Sequence, residues 1–311
     1  MTQGIEGLFA RTEEFPNPSA QARSNALVGL DALINRLVND AVVLANPTAL
    51  MVWSQEVHGE AIAALDAVKD RTALFVFAGD VGVGKTEVAE VLGQVIAVRT
   101  GIDVTLYPLS LTARGRGAVG EMTTLLTCAF ERISADFAKT RRADGIAASL
   151  GILLIDEGDA LAQSRELAAM HHEDRAGVNA LLRGIDGIRT DRLPILTIVC
   201  TNRLDALDPA LRRRAAVVEV FERPDHHQRA ALLSRLLAGT KLTADDITTL
   251  AAMTGAADGR PHGYTYSDLR QRLVPEIVLE AYRRRTAIDA AIAAEVLART
   301  QPTRPFDAAV R

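Results

Sequence analysis

The sequence has 311 residues, 48% of them hydrophobic, enough to bury the core of one average globular domain and a smaller partner domain. Its 35 lysines and arginines stand against 39 aspartates and glutamates, and the formal charge of −4 has the wrong sign for a surface that grips nucleic acid throughout. The two cysteines, Cys128 and Cys200, lie far apart in apolar stretches, which points to buried thiols in a reducing cytoplasm, and no uncharged apolar run reaches the roughly 18 residues of a membrane helix.

In chain order, the start shows neither the basic-then-apolar order of a secretion signal nor any periodicity through Phe15, Pro16, Asn17 and Pro18. Leu27, Leu30, Ile34, Leu37, Val38 and Val42 then recur at helical spacing. Residues 1–50 are therefore expected to be an arm with one amphipathic helix. Trp53, next along the chain, is expected to pack rather than to contact a base.

From about residue 73, apolar runs alternate with helical periodicity: ALFVFAG, VTLYPL, GILLID, LPILTIVCTN and VVEVFE. This predicts an α/β domain over residues 51–223, a parallel sheet covered on both faces. The first run enters Gly79-Asp80-Val81-Gly82-Val83-Gly84-Lys85-Thr86, which fits GxxxxGK[ST], and Glu87 opens the helix that follows. In such a loop the backbone N–H groups close around the phosphates of ATP. Lys85 reaches the β and γ oxygens, and the Thr86 hydroxyl binds Mg²⁺ at the helix N-terminus.

The third run, Ile152-Leu153-Leu154-Ile155, delivers Asp156 and Glu157 to the end of a buried strand. Two acids there alone would be only a solvated pair. Downstream of a phosphate loop, Asp156 reads as part of the Mg²⁺ shell and Glu157 as the general base for water. The fourth run ends in Thr201-Asn202, where the amide could sense the γ-phosphate, although an asparagine ending a strand is more often a turn former. Asp208 and Pro209 then suit the start of a helix that ends in Arg212-Arg213-Arg214. Dipole complementation worth ~0.5 kcal/mol is the plain reading of these arginines; an arginine finger to a neighbouring subunit is the other. Adjacent His171 and His172 do not face one centre on a helix and are not assigned a metal. Beyond Pro224 only helical patterns remain, at Asp225–Leu237, Ala244–Thr254, Ser267–Arg285 and Ala287–Arg299, so residues 224–311 are expected to be a four-helix lid.

Together these motifs resemble the AAA+ ATPases. The stretch Leu154-Ile155-Asp156-Glu157 through Ser164-Arg165, Val178-Asn179-Ala180-Leu181-Leu182 with Ile185-Asp186, Thr201-Asn202 and Arg214-Ala215 is similar to the pachytene-checkpoint (Trip-thirteen) remodellers of HORMA-domain proteins. That resemblance implies a five-stranded parallel sheet of order 5-1-4-3-2 with a helical lid, and a homo-hexamer that threads part of a HORMA protein through its pore. In the bacterial form the HORMA protein activates a cGAS-like nucleotidyltransferase of a cyclic-oligonucleotide antiphage system. It also implies Arg214 as the finger, where the broader AAA pattern selects Arg213. Ser267 stands where the branch has its lid sensor arginine, with Arg270 the nearest replacement. The first pore loop lacks the family's adjacent aromatics and offers Arg114, Arg116 and Val119. The alternatives are a remodeller with another protein client, a DNA-acting initiator or clamp-loader-like ATPase, and a nucleotide-bound scaffold. An adjacent HORMA protein and nucleotidyltransferase gene would decide against the first; the second usually adds a DNA-reading module, and the third has no use for Glu157, Asn202 or the arginines.

Overall fold

The computed structural model describes residues 8–9, 11–45, 48–69, 71–111, 121–138, 140, 147–161 and 171–306. The chain forms two compact units. One comprises Met1–Ala26, Leu33–Ala78 and Thr86–Val220; the other comprises Leu27–Ala32, Gly79–Lys85 and Phe221–Arg311.

Strands β1 (Glu13–Phe15), β2 (Thr72–Gly79), β3 (Asp103–Ser110), β4 (Ser149–Asp156), β5 (Ile195–Thr201) and β6 (Ala215–Phe221) make one sheet in the order β1-β3-β4-β5-β2-β6. β2 with β5, β3 with β4, and β4 with β5 run parallel. β5 is buried at every residue, as its unbroken apolar run requires of a strand covered on both faces. Leu74, Leu153, Ile155, Ile133 of α6 (Glu121–Phe137) and Leu181 of α7 (His171–Thr190) share one buried cluster. The carboxyl ends of three strands lie side by side, Ala78 opposite Thr201 and Ile155 opposite Val199. Ligands of open α/β sheets bind outside such ends.

The expected order 5-1-4-3-2 is present as β6-β2-β5-β4-β3, but among the described residues the sheet has six strands, not five. β1 adds an antiparallel strand at the β3 edge, with Phe15 opposite Val104. Three residues are too few to show alternation, so periodicity could not reveal it. Its hold is tertiary. Phe15 is buried against α5 (Lys85–Thr100), where a side chain at Gly93 would come within 2.5 Å of its ring. The Asn17 amide donates to buried Gln94 of α5 at 2.8 Å, and Arg23 of α1 (Pro18–Ala26) donates to both oxygens of Glu13 at 2.7 and 2.8 Å. The region expected to be an arm and one helix thus contains β1, α1, α2 (Asp31–Ala45) and the start of α3 (Thr48–His58), with α4 (Ala64–Lys69) before β2. Trp53 is not packed in the core: it lies on α3, 44% exposed and edge-on to His58. Cys200 is buried and Cys128 half-buried, both as free thiols.

The second unit is mainly helical: α9 (His226–Leu236), α10 (Ala244–Met253), a π-helical stretch Asp268–Leu273 running into α11 (Val274–Arg284), and α12 (Ala290–Arg299). The four periodic segments beyond Pro224 each form helix. Reciprocal caps fix two of the starts, Asp225 with Gln228 for α9 and Thr243 with Asp246 for α10. Leu233, Leu250, Tyr264, Leu269, Ile277 and Val296 are among its buried core residues. No described helix is long and apolar enough to cross a membrane.

Candidate functional site

β2 leads into the glycine loop, and the loop into α5. Gly79, Gly82 and Gly84 have φ values of 143°, 78° and 98°, a left-handed series that side chains would resist. At Gly79 space forbids a side chain as well, since a Cβ would stand 2.2 Å from the Phe221 carbonyl. Backbone N–H groups in such a series form an anion-binding concavity. Lys85 is 7% exposed, and its ammonium donates to the carbonyls of Gly79 at 2.9 Å and Asp80 at 2.7 Å. The cation is therefore held within the curve of the loop. Val83 is buried while Val81 is exposed. Ser267 lies beside this loop: its amide donates to the Gly82 carbonyl at 3.1 Å, and a Cβ at Gly82 would be 2.8 Å from the Ser267 Cβ. Arg270 is exposed.

At the head of α5 the Thr86 hydroxyl donates to Asp156 Oδ2 at 3.1 Å, so two residues 70 apart in sequence meet. A hydroxyl and a carboxylate side by side are the hard oxygen donors that suit Mg²⁺, which is usually held by one or two carboxylates together with substrate phosphates. The residues fit the cation. Glu157 follows with a left-handed φ of 57°, rare for a residue with a side chain, and its amide donates to Asp156 Oδ1 at 2.8 Å. This kink leaves Glu157 exposed at the strand end.

Asn202, at the end of β5, is oriented by a residue the motif reading passed over. Asp159, on the short 3₁₀ turn Gly158–Leu161, accepts from the Asn202 amide nitrogen at 2.7 Å, from its side-chain nitrogen at 3.1 Å and from the Thr201 hydroxyl at 2.7 Å. Its signal was the third acid of Asp156-Glu157-Gly158-Asp159. α8 (Pro209–Arg214) begins as expected, with Asp208 accepting from the Ala210 amide at 2.7 Å and Pro209 in the first turn. At its end Arg214 pairs with Asp186 of α7 through two bonds of 3.3 Å, whereas Arg213 is exposed. The segment from Ala113 to Gly120 and Ser164-Arg165 lie outside the described residues.

The helical unit also places Val28–Leu30 near the loop: Leu30 Cδ1 would lie 3.9 Å from a Cβ at Gly84, and the Gly29 carbonyl accepts from the Gln228 side chain at 2.9 Å. Leu30 counted only as an apolar position of a helix in the sequence. The contact comes from folding.

Residues 75–223 match the family described as "ATPase family associated with various cellular activities (AAA)". CD-NTase-associated protein 6 of Escherichia coli strain MS 115-1 is 47% identical over 302 residues, 97% of each chain. Its namesake in Escherichia coli strain KTE188 is 38% identical over 89% of this chain and 91% of its own. Among solved structures, the E. coli MS115-1 HORMA:CdnC:Trip13 complex contains a chain that is 46% identical, with a TM-score of 0.87 over 96% of this chain and 97% of that one. A Rhizobiales Trip13 is 40% identical, with a TM-score of 0.74 over 96% of this chain and all of its own.

Proposed function

The chain belongs to the bacterial Trip13-type AAA ATPases, and from that membership we propose that it hydrolyses ATP to take apart complexes of a HORMA-domain protein with a CD-NTase. The observation that carries the reading is the full-length likeness to a chain solved with a HORMA protein and CdnC. The assembly in this reading is a cytoplasmic homo-hexamer, with residues 51–223 as the ATPase domain, 224–311 as the lid and 1–50 as the arm. The complex it acts on belongs to an antiphage system.

The chain's own residues divide the work as follows. The loop N–H groups between Gly79 and Thr86, apart from that of Val81, which donates to Asp80, cradle the polyphosphate, and Lys85 exchanges its loop carbonyls for phosphate oxygens. Thr86 and Asp156, already in contact, would hold the Mg²⁺, which when bound would supply neutralisation of phosphate charge. Glu157 accepts the proton of the attacking water and Asn202, fixed by Asp159, orients it. Arg214 of a neighbouring subunit stabilises the transition-state charge as the γ-phosphoryl passes from ADP to water, with Arg213 as the second candidate.

The test mixes the protein with a preformed complex of HORMA protein and nucleotidyltransferase. ATP should dissociate the complex, whereas a non-hydrolysable analogue and the Glu157→Gln variant should not. A complex that survives while ATP is consumed would assign the motor to another client.

A further inference from the structure

The phosphate loop carries a carboxylate, Asp80, in the curve assigned to a polyanion, and both of its oxygens are occupied. Arg223 donates to Oδ2 from Nε at 2.9 Å and from Nη2. The amides of Val81 at 2.9 Å and Phe306 at 3.2 Å donate to Oδ1. The side chains of Arg223 and Asp80 are only 15% and 16% exposed. Arg223 reaches further, donating to the carbonyls of Gly263 at 2.6 Å and Thr303 at 2.8 Å. Thr303 is in turn bound through its amide at 3.0 Å and its hydroxyl at 2.6 Å to Asp268, which is 1% exposed. Asp268 directly follows Ser267, whose amide meets Gly82. The Tyr264 hydroxyl closes the far end on the Thr300 carbonyl. One segment, 300–306, thus ties the loop to the start of the π-helical stretch.

We propose that Arg223, seated by the segment 300–306, positions the phosphate loop by fixing and neutralising Asp80, so that this clamp sets affinity for the nucleotide polyphosphate. The inference rests on the ATP reading above. A carboxylate left unpaired in a loop assigned to a polyanion would repel that anion. Once the carboxylate is paired with Arg223, its charge is cancelled and the loop keeps the positive charge of Lys85 for the phosphates. The charge logic separates the clamp from a merely structural brace: if neutralisation is its role, removing the carboxylate should compensate for removing the arginine.

Binding of Mg-ATP and Mg-ADP would be measured by titration calorimetry, beside steady-state hydrolysis, for the wild type, Arg223→Ala, Asp80→Asn and the double variant. Arg223→Ala should weaken ATP binding about tenfold, equivalent to ~1.4 kcal/mol. ADP, with one charge fewer, should lose less. The change should appear in KM, with kcat at saturating ATP falling less than about threefold. Adding Asp80→Asn should bring ATP affinity back to within about threefold of wild type. A double variant as weak as Arg223→Ala, or a loss confined to kcat, would overturn the proposal. Asp80→Asn alone keeps Arg223 in place and controls for misfolding: it should bind ATP better than Arg223→Ala, and the reverse order would also overturn it. A wild-type protein that binds no ATP would instead remove the ATP reading itself.

Discussion

Asp159 accepts three hydrogen bonds from Thr201 and Asn202, one of them from the asparagine side-chain nitrogen, which draws that side chain toward the carboxylate. A carboxylate shared among three donors makes charge-assisted bonds of about 1.5–3 kcal/mol each in net terms. If Asn202 orients the attacking water, Asp159→Ala should lower kcat by roughly 10- to 100-fold, the equivalent of ~1.4–2.7 kcal/mol. ATP binding should stay within a few-fold, since Asp159 is not assigned to the phosphates. Unchanged turnover would remove Asn202 from the mechanism. Glu157→Gln should keep ATP binding and lose hydrolysis, because the proposed metal holders Thr86 and Asp156 are left intact, whereas Lys85→Ala should weaken binding itself; turnover near wild type in Glu157→Gln would end the base assignment. The residues legible in the sequence were those fixed by local order. A loop between strand and helix places Lys85 and Thr86, and a buried strand places Asp156 at its end. Asp159 and Arg223 were not legible because their partners lie 43 and 143 residues away, and no spacing rule connects them.

At the scale of elements, the same distinction separates the helices beyond Pro224, which periodicity announced, from β1, which only its partners hold. It also separates a helix from the network that joins it to another. Glu280 on α11 accepts from Arg283 at 2.7 Å, from Arg284 at 2.8 Å and from Arg299 of α12 at 2.7 Å. The hydrogen bond from Arg299, then that from Arg284, lowers its carboxyl from 4.5 to about 2. Because the folded value lies below the unfolded one, the stabilisation is fully present above pH 4.5 and is lost as pH falls toward 2. Glu280→Gln should therefore be less stable than wild type at neutral pH and less sensitive to acid within that window. Thermal unfolding followed by circular dichroism across the window would show it, and parallel slopes for the two proteins would mean that Glu280 does not couple the helices.

For the whole molecule, the arginines ending α8 bear on whether one chain suffices. Arg214 is partly committed to Asp186, with both side chains more than a third exposed, so the pair is open to solvent and worth little to stability. An exposed arginine at the end of a helix, held by a weak and screened partner, is available to leave it for a stronger anion. A γ-phosphate on the next subunit is such an anion, and fingers of this kind contribute about 10³- to 10⁵-fold in rate, ~4 to 7 kcal/mol of transition-state stabilisation. If the finger acts in trans, Arg214→Ala subunits and Glu157→Gln subunits should each be inactive alone. Mixed, they should recover part of the hydrolysis, because some interfaces then pair an intact Glu157 with a neighbour's intact Arg214. The recovered rate should vary with the mixing ratio and vanish on dilution below the assembly concentration. If Arg214→Ala alone keeps full turnover while Arg213→Ala loses it, the finger is Arg213 and the same mixing should be repeated with that variant. Full activity of a strict monomer with ATP, measured by light scattering, would exclude both arginines from trans action.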